Sequence, residues 1–236
     1  MYESMRLCET AVEYGIERVA ATSHLFAPSD LAEYLPRRND RILRLREKVE
    51  QAELPLRIYP GAEVFVNDDI FYARYLEKVT LNNSRYLLIE FDFHGLSPRQ
   101  LIHYTDEVFR IGLVPIVAHP ERYRYLQRDY ELVNFLVQRG VLFQVNAGSL
   151  AGRSGYEEFE LAYRMVLHNA ASFIATDAHS HLGRTNDLLR MIQDFPPGIS
   201  RESLDYMLYK APFSVLADKE LPPIRRSDIH KHRHRE

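Results

Sequence analysis

Six short, continuously apolar runs, evenly spread and separated by segments of helical period, constrain this chain more than anything else in it. They are Arg18–Thr22, Leu56–Tyr59, Tyr86–Phe91, Leu113–Ala118, Val141–Asn146 and Ser172–Thr176. Each is rich in β-branched or aromatic residues and does not alternate with polar ones, as expected of strands covered on both faces. The segments between them carry apolar stripes at helical spacing. Met5, Cys8, Ala11 and Val12 form one and Ile42, Leu45 and Val49 a second. Leu132, Val133, Leu136 and Val137 form a third, and Phe159, Ala162, Tyr163 and Val166 a fourth. Gly15, Gly112 and Gly140 each follow a helical run and precede a strand, where a left-handed helix C-terminus is wanted. Such alternation predicts an α/β fold with a parallel sheet and right-handed crossovers. Further helical stretches are expected around Leu188–Ile192 and Glu202–Tyr209.

The chain has 236 residues, the size of one (β/α)-barrel domain. Thirty Lys and Arg face 33 Asp and Glu, so no global positive field points to nucleic acid or to an acidic membrane surface. No apolar stretch approaches the ~18 residues needed to span a bilayer, and the first residues lack the basic start and apolar run of a signal peptide. A single cysteine, Cys8, forms no intrachain disulfide, which makes the reducing cytoplasm the expected compartment. Tyr14 stands where the Arg of a C-x5-R cysteine phosphatase would be, which excludes that chemistry for Cys8. The basic run from Arg37 to Lys48 reads as the wet face of a long helix. The polar stretch 221–236, with His230, His232 and His234, reads as a disordered tail following one unit over residues 1–220.

The ends of the apolar runs carry the chemistry. The first leads to His24, the second to Glu63, the third to Glu90, the fourth to His119, and the sixth to Asp177 with His179 two residues on. In parallel α/β folds the carboxyl ends of strands aim side chains at a common point. One such residue alone is most simply a cap or a hydrogen-bonded loop residue. Six together, imidazole and carboxylate without thiolate, converge in a cleft only if they are paired or metal-bound. That donor set suits Mn, Fe or Zn. Arg122 and Arg184 lie close by in sequence, and a planar guanidinium can pair two phosphate oxygens at once. The plainer reading of both arginines is neutralisation of the surplus carboxylates.

The motifs ATSH (21–24), PGAE (60–63), IEF (89–91), AHPER (118–122), GSLAG (148–152) and TDAH (176–179) occur in order and at even spacing. Together they resemble the PHP (polymerase and histidinol phosphatase) superfamily, in its CpsB/YwqE type of bacterial protein-tyrosine phosphatase. The resemblance implies a distorted (β/α)7 barrel, TIM-barrel-like, holding up to three divalent metals, usually manganese. Its metal ligands would be His24, Glu63, Glu90, His119, Asp177 and His179, with Arg122 and Arg184 on the substrate phosphate. The substrate it implies is the phosphotyrosine tail of a tyrosine kinase that controls capsule or exopolysaccharide synthesis. Two departures stand out. Ser23 and Leu25 replace the Pro and second His of the usual TPHH, and the opening strand with its D-x-H-x-H is not found before Met1. With six strands counted instead of seven, a strand and loop of roughly 15–20 residues is expected to be missing. Alternatives from other classes are a degenerate, non-catalytic binding protein and a phosphatase of small esters such as histidinol phosphate. The GSLAG and IEF motifs argue against the last.

Overall fold

A computed structural model describes residues 1–27, 31–72, 76–93 and 95–230. All six apolar runs form strands. They are β1 (Arg18–Ala21), β3 (Arg57–Pro60), β5 (Tyr86–Glu90), β6 (Val114–Ala118), β7 (Leu142–Asn146) and β8 (Phe173–Ala175). Two short strands continue the first two of these beyond a break: β2 (His24–Leu25) follows β1, and β4 (Glu63–Phe65) follows β3. The helices between them are α1 (Tyr2–Glu13), α2 (Leu31–Gln51), α3 (Pro98–Arg110), α4 (Arg124–Arg128), α5 (Tyr130–Gln138), α6 (Ala147–Leu150) and α7 (Tyr156–Leu167). After β8 come α8 (Leu188–Gln193), α9 (Arg201–Asp205) and α10 (Ala211–Leu216), with a π-turn at Tyr206–Lys210 between the last two.

Every strand pairing among the described residues is parallel, and neighbours follow chain order once β1 with β2, and β3 with β4, are each taken as one interrupted strand. β1 pairs with β3, and a six-stranded sheet runs β2-β4-β5-β6-β7-β8. The fold is therefore α/β with a parallel, singly wound sheet whose crossovers carry α-helices, except that from β4 to β5, which is built of 3-10 turns at Ile70–Tyr72, Leu76–Val79 and Leu81–Asn83. β5 and β7 are buried at every residue, which accounts for their uninterrupted apolar character. The three glycines ahead of strands take the left-handed conformation expected of them, with φ of 76°, 82° and 90°. No helix among the described residues is long and apolar enough to cross a membrane.

Two features differ from the sequence-based expectation. Along Arg37–Lys48 the basic face is not wholly wet. Arg38 is buried beside Tyr34, and the Arg46 guanidinium reaches the Ile58 carbonyl at 2.5 Å. Residues 221–230 are not loose either. Ile229 is fully buried and exchanges two hydrogen bonds with the Asn134 side chain, at 2.9 and 3.0 Å, while the Ser227 amide donates to the His168 carbonyl. Leu221 and Ile224, packed against the same core as Ile229, help to fasten the stretch. His232 and His234 lie outside the described residues.

Candidate metal centre

The break in the first two strand positions creates the site. β1 stops at Ala21, the chain turns through Thr22 and Ser23, and His24 opens β2 in register with Glu63, which opens β4. The Tyr34 hydroxyl fills the gap, donating to the Ser23 carbonyl at 2.8 Å. Glu63 in turn pairs with Leu88, two residues before Glu90 at the end of β5. Neighbouring parallel strands thus carry His24, Glu63 and Glu90 side by side, and one donor atom from each lies within 4.8 Å of the others. His119, the first residue past β6, joins them. Its Nε2 lies 2.8 Å from Glu63 Oε1 and 3.7 Å from Glu90 Oε2. His24 Nδ1 lies 2.9 Å from Glu90 Oε1.

Two carboxylates buried this close need compensating positive charge. Among the described residues the two imidazoles are the groups placed to give it. The hydrogen bond to Glu90 raises the His24 pKa, with the charges of Glu90, Glu63 and Asp177 adding to it against burial. Burial pushes the Glu90 carboxyl upward, but the hydrogen bond and charge of His24 and the charge of His119 outweigh it and leave the pKa lowered. Buried His119 keeps a second polar atom, Nδ1, without a hydrogen-bond partner among the described residues. Hard oxygens and imidazole nitrogens converging with surplus negative charge and an unspent donor fit a divalent cation.

The remaining sequence candidates border this cluster. Asp177 follows β8 and is half-buried; its Oδ2 accepts from Arg184 at 2.5 Å and from the Asn146 side-chain amide at 3.0 Å. His179 is more exposed, with Nδ1 3.4 Å from Asp177 Oδ1 and its ring 5.7 Å from that of His24. Arg184 neutralises Asp177, as the plainer reading of it foresaw. Arg122 does not behave likewise. No carboxylate pairs with it among the described residues, and its guanidinium lies 4.2 Å above the Phe93 ring, a cation–π contact that leaves its in-plane donors available. Phe93 itself packs 5.6 Å from His119, which links Arg122 to the cluster. His119 and Asp177 both adopt positive φ, 35° and 48°, a conformation that costs a non-glycine residue about 1–3 kcal/mol and gathers at functional sites.

Sequence reasoning missed Asn146. Asn146 ends β7 and is the strand-end residue of the fifth apolar run; its amide also accepts from Gln144, at 2.9 Å. Looking for any polar strand end, and not only for His, Asp and Glu, would have found it.

Residues 1–217 match the family model described as capsular polysaccharide synthesis, CpsB/CapC. The chain belongs to the CpsB/CapC family. A relative named tyrosine-protein phosphatase YwqE, from Bacillus subtilis, is 30% identical over 187 residues, which cover 75% of this chain and 70% of YwqE. Tyrosine-protein phosphatase CpsB of Streptococcus agalactiae is 28% identical over 189 residues, 75% of each chain. Among solved structures, one from a set on YwqE of Bacillus subtilis and CpsB of Streptococcus pneumoniae, described as metal-dependent tyrosine phosphatases, superposes with a TM-score of 0.78. That alignment covers 98% of this chain and 92% of the other at 24% identity, so it speaks for the shared fold.

Proposed function

We propose that this CpsB/CapC-family chain is a metal-dependent protein-tyrosine phosphatase of the bacterial cytoplasm. Its substrate is the phosphotyrosine tail of a tyrosine kinase that controls capsule or exopolysaccharide synthesis. The observation that carries the reading is the meeting of His24, Glu63, Glu90 and His119 beside Asp177, His179 and two arginines. Its relatives named as tyrosine-protein phosphatases support it. On this reading the parallel sheet is the larger arc of a distorted (β/α)7 barrel.

His24, Glu63, Glu90, His119, Asp177 and His179 would hold the metal, manganese by preference. When bound, it supplies Lewis acidity, making water nucleophilic near neutral pH and offsetting the phosphoryl charge. The protein's own part is positional. Asp177, pinned by Asn146, fixes the Arg184 guanidinium, and Phe93 supports that of Arg122. The two arginines donate to phosphoryl oxygens and hold the phosphate for in-line displacement. The departing phenolate has a conjugate acid of pKa about 10, so it leaves without a strong proton donor.

The test is phosphate release from a phosphotyrosine peptide by manganese-loaded protein, with bound metal measured by elemental analysis. Glu90→Ala and Asp177→Ala are expected to lose bound metal together with at least about a hundredfold of kcat/KM. Variants that keep the wild-type rate would sink the reading.

A further inference from the structure

The catalytic reading leaves Phe26 unexplained. Phe26 follows β2 directly and is 56% exposed. A single exposed phenylalanine is commonplace on protein surfaces, but this one sits against a candidate ligand. Its ring lies 5.2 Å from the His24 imidazole and 19° from parallel, and 6.2 Å from the ring of Phe65. The mouth of the site is thus divided in two. Phe26 and Phe65 form an apolar shelf against the His24 ring, while the Nδ1 of that ring meets the charged cluster through Glu90. A phosphotyrosine side chain carries the same division, an apolar ring bearing a doubly charged phosphate. An alkyl phosphate such as phosphoserine has no ring to lay on the shelf.

We propose that Phe26, backed by Phe65, is the platform for the substrate's aryl ring and the residue that selects aryl over alkyl phosphate monoesters. The assignment rests on the phosphatase reading and deepens it. Aromatic rings prefer offset or edge-on contact with one another, and an exposed ring already fixed against His24 and Phe65 gives up little freedom on receiving one.

The experiment compares manganese-loaded wild type, Phe26→Ala and Phe26→Tyr on two peptides of one sequence, bearing phosphotyrosine or phosphoserine. In Phe26→Ala the ratio of kcat/KM for phosphotyrosine over phosphoserine is expected to fall about tenfold, mainly through KM, and Phe26→Tyr restores it. Inorganic phosphate, which has no ring, is expected to compete with an inhibition constant within about twofold of wild type in all three proteins. Because the side chain is more than half exposed, Phe26→Ala is expected to melt with the wild type. An unchanged ratio in Phe26→Ala overturns the assignment while leaving the phosphatase reading intact. Weakening of inorganic phosphate by the same factor also overturns it, because Phe26 would then act on His24 and not on the substrate ring. Wild type that hydrolyses neither peptide overturns the phosphatase reading and this assignment with it.

Discussion

Glu121 sits in the turn after His119, wholly buried, its Oε1 accepting the Asn146 backbone amide at 3.0 Å. Burial raises its pKa to about 7. Between the ordinary 4.5 and about 7 the folded chain keeps this proton while the unfolded chain has released it. Stability therefore falls as pH rises through that window, by about 3 kcal/mol in all. Urea unfolding of metal-free protein from about pH 5 to about pH 8 is expected to show that loss in wild type and a much flatter profile in Glu121→Gln. Parallel profiles would mean that Glu121 titrates as an ordinary carboxyl. Sequence alone drew attention to His119 and Arg122 on either side of this residue but could not mark Glu121. A buried glutamate and an exposed one read identically inside a four-residue turn, and only the packing of β7 over it separates them. Phe26 was equally silent, since its meaning lies in a ring contact with His24.

The strands were the most legible elements, and β1, β3, β5, β6, β7 and β8 were each recovered to within a residue or two, while the short β2 and β4 were not foreseen. A run that is apolar on both faces has few other ways to be buried. The break between β1 and β2 was not legible, because nothing in composition marks it, whereas Pro60-Gly61 marks the one between β3 and β4. The break at Gly61 has a steric cause. A Cβ there would stand 2.8 Å from Leu81 Cδ2 and 3.2 Å from Thr22 Cγ2, so the two chains pass closely where the pairing shifts from β1–β3 to β2–β4. Gly61→Ala is expected to cost about 1 kcal/mol in urea unfolding, with Gly61→Val costing more, because both push buried neighbours aside. Both variants are also expected to bind manganese more weakly by titration calorimetry, since Glu63 is two residues downstream and opens the displaced strand. Full retention of metal affinity would show that the break does not set the position of Glu63.

Across the molecule the apolar interior of the described residues falls into two clusters. Cys8, Ala11, Ile42, Val49, Leu56 and Ile58 form a small one joining α1, α2 and β3, and the large one spans β4 to β8 with the helices around them. The division could not be foreseen, because the apolar stripes of α1 and α2 look like those of α5 and α7. Fewer buried contacts hold the small cluster, so it should open at lower free energy than the large one. Hydrogen exchange is expected to proceed faster at the amides of α1 and β1 than at those of β5, β6 and β7; uniform protection would contradict the division. The two are also tied by polar contacts, the Glu3 carboxylate accepting from the His181 backbone amide at 2.6 Å and the Leu7 carbonyl from the Asn186 side chain. The left-handed backbone at His119 and Asp177 has a consequence for descent. A lineage selected for heat resistance alone would gain by placing glycine or asparagine at both positions. Erosion should therefore begin there in any descendant that no longer needs its chemistry, with glycine or asparagine replacing His119 or Asp177.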